Sequence, residues 1–192
     1  MTIMGIDEVG RGCWAGPLVA GAVVMANDYT HDANLPWKLA DSKQMSKLQR
    51  QRAEIGIKES PMIIAYGLGW VTSLEVDALG LTKAVSLAME RAAGATGIDA
   101  DQIIIDGSYN FLPERSNVMT MIKADASQPT VSAASILAKV ARDNWMAEAD
   151  QGFPGYGFAA HVGYGTAAHR AALATLGICE LHRRSFKPIA AL

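Results

Sequence analysis

Read from its first residue, the chain lays out short apolar runs before it lays out helical periods. Residues 2–8 form an apolar run that ends in Asp7 and Glu8, and residues 18–26 form a second, rich in small and β-branched side chains. Residues 62–71 form a third. Their lengths and the Gly and Pro around them predict buried strands rather than helices. Between the second and third, residues 46–57 carry charges on one side behind Ser46, which predicts a capped helix. Thr72-Ser73-Leu74-Glu75 then reads as a helix start, and Leu74, Leu81, Val85, Ala88 and Met89 recur at helical spacing to about residue 93. Two further apolar runs follow: 102–105, ending in Asp106-Gly107, and 118–122, ending in Lys123-Ala124-Asp125. A long helix is predicted over 130–148, a Gly- and aromatic-rich loop over 151–165, and a last short helix over 167–176 before a basic tail. Strands first, then strands alternating with helices, give the α/β class: a mixed central β-sheet flanked by α-helices. The chain is expected to be one domain over 1–192, with residues from about 151 onward supplying loops and a short helix.

Composition narrows this without changing it. Half of the 192 residues are hydrophobic and 19% are charged, which excludes disorder. Two cysteines, Cys13 and Cys179, exclude a disulfide scaffold and fit a reducing compartment. The N-terminus puts two acids where a signal peptide needs a basic start, and no apolar stretch is long and uninterrupted enough to span a bilayer. A soluble, cytoplasmic protein without membrane contact is expected. The formal net charge of −2 argues against a nucleic-acid partner, yet from residue 155 onward four cations (Arg170, Arg183, Arg184, Lys187) face one acid, Glu180.

Chemistry gathers at the strand ends. Three separate runs end in acids, at Asp7-Glu8, Asp106 and Asp125. Converging on one sheet edge, these carboxylates could not all stay ionised without bound cations. Oxygen-only ligation selects hard ions such as Mg²⁺ or Mn²⁺. Two such ions about 3.5–4 Å apart would suit phosphodiester hydrolysis. Asp is also simply common in turns, and Asp106-Gly107 is a good turn dipeptide, so spacing alone leaves both readings open.

Longer motifs carry more. Gly5-Ile6-Asp7-Glu8-Val9-Gly10-Arg11-Gly12 with Ala15-Gly16-Pro17-Leu18-Val19 resembles the opening of ribonuclease HII. Asp41-Ser42-Lys43, Ile105-Asp106-Gly107, Lys123-Ala124-Asp125-Ala126 and the run from Ala133 through Asp143 follow in family order. Gly163-Tyr164-Gly165-Thr166 with His169, and His182-Arg183-Arg184-Ser185-Phe186, resemble the closing blocks. The resemblance implies a ribonuclease H-like fold and an endonuclease that cuts the RNA strand of RNA–DNA hybrids. It also implies incision of duplex DNA 5′ of an embedded ribonucleotide, leaving 3′-hydroxyl and 5′-phosphate ends. Asp7, Glu8, Asp106 and Asp125 fall on the family's metal-binding carboxylates. The Gly10-Arg11-Gly12 turn falls on the block that senses the 2′-OH, and Tyr164 on the tyrosine that packs against the following deoxyribose. Two departures stand out: Trp14 beside the turn, where a smaller aliphatic residue is usual, and Gly80 in place of an Asn, expected to loosen a helix.

Other residues complete the expected substrate surface. Lys43 is a candidate phosphate contact. Lys139 and Arg142, three apart on the long helix, share a face, with Ser135 one turn earlier. Asp143, four residues after Lys139, is expected to pair with it and is left out of the metal set. His161, His169 and His182 match no standard zinc spacing. A non-catalytic nucleic-acid-binding relative would have lost a carboxylate, and a junction resolvase on the same fold would lack the two glycine-flanked blocks. The expected state is a monomer with no C-terminal extension for a protein partner.

Overall fold

The computed structural model describes residues 1–26, 35, 37 and 45–192. Its centre is a five-stranded sheet of β1 (Thr2–Val9), β2 (Leu18–Ala26), β3 (Ile63–Val71), β4 (Gln102–Asp106) and β5 (Val118–Met121), in the order β3-β2-β1-β4-β5. The three N-terminal strands pair antiparallel, while β4 joins β1 and β5 joins β4 in parallel. The apolar runs read as strands for a physical reason that the fold makes visible. β2 is covered on both faces, so its side chains alternate between two cores. Ala20, Ala22 and Val24 pack on one side, Val23 and Met25 on the other. A strand buried on both faces has no polar alternation to show.

Helices α1 (Lys47–Glu59), α2 (Ser73–Leu79), α3 (Leu81–Ala95), α4 (Pro129–Gly152), α5 (Phe158–His161), α6 (Ala167–Leu176) and α7 (Lys187–Ala190) surround the sheet. Ser46 caps α1 through a reciprocal pair with Gln49, as its sequence suggested. The run expected to be one helix to about residue 93 is instead two. Gly80, at φ +77° and ψ 156°, ends α2 and starts α3 in a conformation that other residues adopt only under strain. Gly80 therefore makes a break rather than loosening a helix, and Leu74, assigned to the buried face, is 69% exposed. The loop expected over 151–165 contains α5, and α7 lies in the tail.

What positions the site is the contact of α4 with β1 and β2. A Cβ on Gly5 would lie 2.3 Å from the backbone of Thr130 and Val131, and one on Gly21 would lie 2.3 Å from the carbonyl oxygen of Ala134. Two glycines and the alanines of α4 thus let helix and sheet touch backbone to backbone. That approach carries the next residue of α4, Ser135, to the end of β1. Among the described residues no helix is long and apolar enough to cross a membrane.

Candidate active site

β1 and β4 run parallel with Ile6 level with Ile105, so Asp7 and Asp106 follow at neighbouring strand ends. Alternation puts Asp7 on the face of Gly5, toward α4, where the Ser135 hydroxyl hydrogen-bonds its carboxylate. The Glu8 amide donates to Asp7 Oδ1 at 2.8 Å. Glu8 faces the other way and pairs with Arg11 at 3.5 Å. Asp106 Oδ1 accepts the Ala124 amide at 2.7 Å, which ties β4 to the 3₁₀ turn Ala124–Ala126 that carries Asp125.

The electrostatics are those of acids gathered without enough cations. Burial pushes the Asp7 carboxyl up to about 7, and the charges of Glu8 and Asp106 push the same way. Burial raises Glu8 too, with Arg11 opposing and Asp106 adding to the rise. A cavity of about 260 Å³ opens here, lined by Asp7, Glu8, Arg50, Ser135, Lys139 and Tyr164. A larger groove of about 420 Å³ lies elsewhere, beside Trp70, Leu74 and Trp145; it is apolar and holds none of this chemistry. Asp106 and Asp125 are not part of the acidic cavity's lining. Among the described residues, no three His, Cys, Asp or Glu side chains are already closed around a point that could hold an ion. The donor set itself fits a hard divalent cation: it is carboxylate oxygen, and two of its members, Asp7 and Glu8, are destabilised as anions until positive charge arrives.

The wall opposite the acids is cationic. Lys139 Nζ meets Asp143 Oδ1 at 2.7 Å, the pair expected from their spacing. Arg50 Nη2 meets Asp143 Oδ2 at 3.4 Å, so one acid is shared by two cations. Arg50 was not singled out from the sequence. Its place depends on α1 packing against α4, and no local pattern in residues 46–57 reports that contact. Lys43, with Asp41 and Ser42, lies outside the described residues.

Arg142 overturns an expectation. Although three residues from Lys139, it is fully buried. It donates to the carbonyl oxygens of Pro17 (2.8 Å), Val162 (2.8 Å) and Ala15 (3.1 Å). A side chain with its donors spent inside cannot reach a phosphate, so Arg142 holds the turn after β1 rather than the substrate. Arg183 does the same from the C-terminal segment, donating to Gly16 O at 3.0 and 3.1 Å and to Arg11 O at 3.1 Å. It too is fully buried, which removes one cation from the basic surface expected of the tail. Burial lowers its pKa to about 10, still charged at neutral pH.

These arginines fix the shape of the Gly10-Arg11-Gly12 turn. A Cβ on Gly10, where φ is +86°, would strike Arg142 Nε at 2.3 Å. Gly12 is different: a Cβ there meets nothing within 4 Å. The fold has no need of glycine at position 12. Arg11 itself lies over Phe111, 5.4 Å from the ring centre.

Tyr164 stands across the cavity on a loop that this turn grips. The Trp14 amide donates to Gly163 O at 2.8 Å, and a Cβ on Gly165 would lie 2.1 Å from the Trp14 ring. Trp14 therefore fills the space under the loop, which accounts for the large residue at that position. Tyr164 is 40% exposed, its ring free to meet a ligand.

Strand-end acids on a mixed sheet of this order define a class, the nucleases of ribonuclease H-like fold. The chain superposes on ribonuclease H2 from Pyrococcus horikoshii OT3 with a TM-score of 0.80 at 25% identity, covering 100% of this chain and 96% of that one. It shares its fold with a Bst ribonuclease HIII crystallised in complex with Mn²⁺ (TM-score 0.73, 20% identity, covering 99% of this chain and 68% of that one). The family model for ribonuclease HII matches residues 4–189. A ribonuclease HII from Dichelobacter nodosus is 44% identical over 191 residues, which cover 99% of this chain and 96% of that protein. The chain belongs to the ribonuclease HII family. It is a hydrolase, a metal-dependent endonuclease of the ribonuclease H type, and the family cleaves RNA in RNA–DNA hybrids.

Proposed function

We propose that this protein, besides cutting the RNA strand of hybrids, incises duplex DNA 5′ of a single embedded ribonucleotide by a two-metal route. Asp7, Glu8, Asp106 and Asp125 would hold Mg²⁺ or Mn²⁺. When bound, such ions supply a water of lowered pKa and stabilise charge on the leaving oxygen. Breaking the O3′–P bond then leaves a 3′-hydroxyl and a 5′-phosphate. The observation that carries the reading is the acidic cavity, where Asp7 is driven toward protonation opposite Lys139 and beside an exposed Tyr164.

Each remaining residue has a part. Ser135 donates to Asp7 and keeps its carboxylate aimed into the cavity. Lys139 and Arg50, sharing Asp143, offer positive charge to the scissile strand's phosphates. Gly10, Arg11 and Gly12 read the 2′-OH through backbone groups. The open space at Gly12 supports this, since it leaves the backbone there accessible to a ligand. Tyr164 stacks on the sugar that follows, as aromatic rings do with nucleotides. Lys43 remains a proposed phosphate contact, and the working unit a monomer acting on hybrid and ribonucleotide-containing duplexes.

The test is incubation with Mg²⁺, and separately Mn²⁺, of a DNA duplex carrying one ribonucleotide beside an all-DNA control. Incision on the 5′ side of the ribonucleotide alone is expected. Absence of incision, or equal cutting of the control, overturns the proposal.

A further inference from the structure

Behind Tyr164 lie three histidines that the chemistry above does not use. His169 and His182 are almost wholly buried and His161 is 8% exposed. The rings of His161 and His169 stack at 4.4 Å and 12°. Their ring nitrogens face backbone groups and one another, and the neighbours dictate every proton. His161 Nε2 faces Tyr156 O at 2.8 Å and must donate, leaving Nδ1 bare to accept the Gly163 amide at 3.2 Å. His169 Nδ1 faces Tyr164 O at 3.0 Å and must donate, leaving Nε2 bare. That bare nitrogen lies 3.0 Å from His182 Nε2, which therefore donates to it. His182 Nδ1 is then bare and accepts the Cys179 amide at 2.9 Å, with the Cys179 thiol at 3.2 Å and the Cys179 carbonyl oxygen at 3.3 Å also beside it. This assignment gives every ring nitrogen a partner with all three rings neutral.

Two of these bonds hold the loop at Tyr164: His161 accepts the Gly163 N–H, one residue before it, and His169 donates to the Tyr164 carbonyl, which also accepts the Thr166 amide at 2.8 Å. We propose that His161 and His169 are positioning residues for Tyr164, with His182 donating to the bare Nε2 of His169, and that this network is built for uncharged His161 and His169. A proton added to His161 Nδ1 would face the Gly163 N–H. One added to His169 Nε2 would face the His182 N–H. Either addition puts two donors against each other: the first removes the hold of His161 on the Gly163 amide, and the second breaks the His169–His182 contact while Nδ1–H still meets the Tyr164 carbonyl.

The surroundings oppose charge on His169 and His182. Titratable and charged groups approach from every side: Tyr156 before α5, Arg142 from α4 through Val162 O, Arg170 from α6 through Gly165 O, and Cys179, Glu180 and Arg183 from the C-terminal segment. The charges that act on His169 are those of His161 and His182. Burial takes His169 down to about 4 against the opposing bond to the Tyr164 carbonyl, with His161 and His182 adding to the fall, and burial lowers His182 as well.

The substrate consequence rests on the reading of Tyr164 as a substrate contact, so the experiment separates the two. Nitrogen-15 NMR of the full chain at pH 7.5 should find His169 protonated at Nδ1, and His161 and His182 at Nε2. As pH falls, the amide signals of Gly163, Tyr164 and Gly165 should move together with the imidazoles. His169 as the Nε2–H form, or loop amides that stay still while the imidazoles titrate, overturns the proposal without reference to activity. In kinetics on the single-ribonucleotide duplex, His169→Leu should raise KM about tenfold with kcat changed less than threefold, the loss of about one hydrogen bond's discrimination. His169→Asn keeps a donor where Nδ1 was and should return KM to within about twofold of the parent. Equal KM defects in Asn and Leu, with both proteins folded, also overturn it. If Tyr164→Ala leaves KM unchanged, the stacking role of Tyr164 falls, and the NMR result alone decides the relay.

Discussion

The acidic cavity and the turn and loop around Gly10–Gly12 and Tyr164 are built on opposite plans. In the cavity, Asp7 and Glu8 are half-buried anions pushed toward protonation, and two cations share one acid. Around the turn and the Tyr164 loop, the donors of Arg142 and Arg183 and the nitrogens of three histidines are spent chiefly on backbone atoms and one another. One region is left electrostatically incomplete and the other is closed on itself. The difference teaches where a ligand adds free energy: charge is supplied to the first, whereas the second has its geometry ready before anything binds.

The largest expected effect breaks the incomplete half. Asp106→Asn should lower kcat by about a thousandfold or more, the scale of losing a charge that acts on the reacting centre, while duplex binding largely survives. Asparagine can still accept the Ala124 amide, so the turn bearing Asp125 should hold; single-turnover cleavage beside a binding titration checks both. Full activity in this variant would remove Asp106 from the site. Next comes the closed half. Arg142→Met leaves three carbonyl oxygens without donors and should cost about 3 kcal/mol or more in a denaturant titration. An unchanged midpoint would show that those bonds do not hold the turn.

Smaller effects sharpen the contrast. With the Asp7 carboxyl near 7, metal must displace a proton below that pH. Affinity for Mn²⁺ by calorimetry should therefore fall up to about tenfold per pH unit below 7, with proton release that depends on the buffer. His169 is shifted the other way, downward. Its folded value near 4 lies below the ordinary 6.5, so the unfolded chain takes up protons first as pH falls. The stability tied to it is whole above about 6.5 and is lost progressively toward 4, and His169→Asn should flatten that part of the stability curve. Least of all, Gly12→Ala should shift the denaturant midpoint by less than about 0.5 kcal/mol, the range of a substitution that touches nothing. It should nonetheless narrow the preference for ribose over deoxyribose.

Much of this could be read from the chain because it is local. The strand runs, the Ser46 and Thr72 caps and the Lys139–Asp143 pair depend on residues within a few positions of each other, and each formed where its pattern pointed. The long helix, expected over 130–148, extends over Pro129–Gly152. What failed depends on which way a side chain turns in three dimensions. Arg142 and Lys139 share a helical face by spacing, yet α4 is buried along enough of its length that one of them ends inside. Gly80 looked like a weak helical residue because a positive φ has no sequence mark beyond glycine itself. Arg50 and the histidine relay involve elements that meet only in the fold. For the carboxylates, composition and spacing left the choice between turn residues and a cluster open; the pairing of β1 with β4 brings Asp7 and Asp106 to adjacent strand ends.

The two buried arginines bear on how the protein meets a polyanion. Arg142 and Arg183 sit behind the Gly10-Arg11-Gly12 turn, where mobile ions cannot come alongside them. Exposed lysines lose their pull as counter-ions crowd in, but charges seated in protein are screened far less by the same salt. The turn thus carries a standing positive background built into the folded chain. Raising ionic strength should strip away the attraction contributed by exposed cations such as Arg184 and Lys187 well before it weakens the hold at the turn.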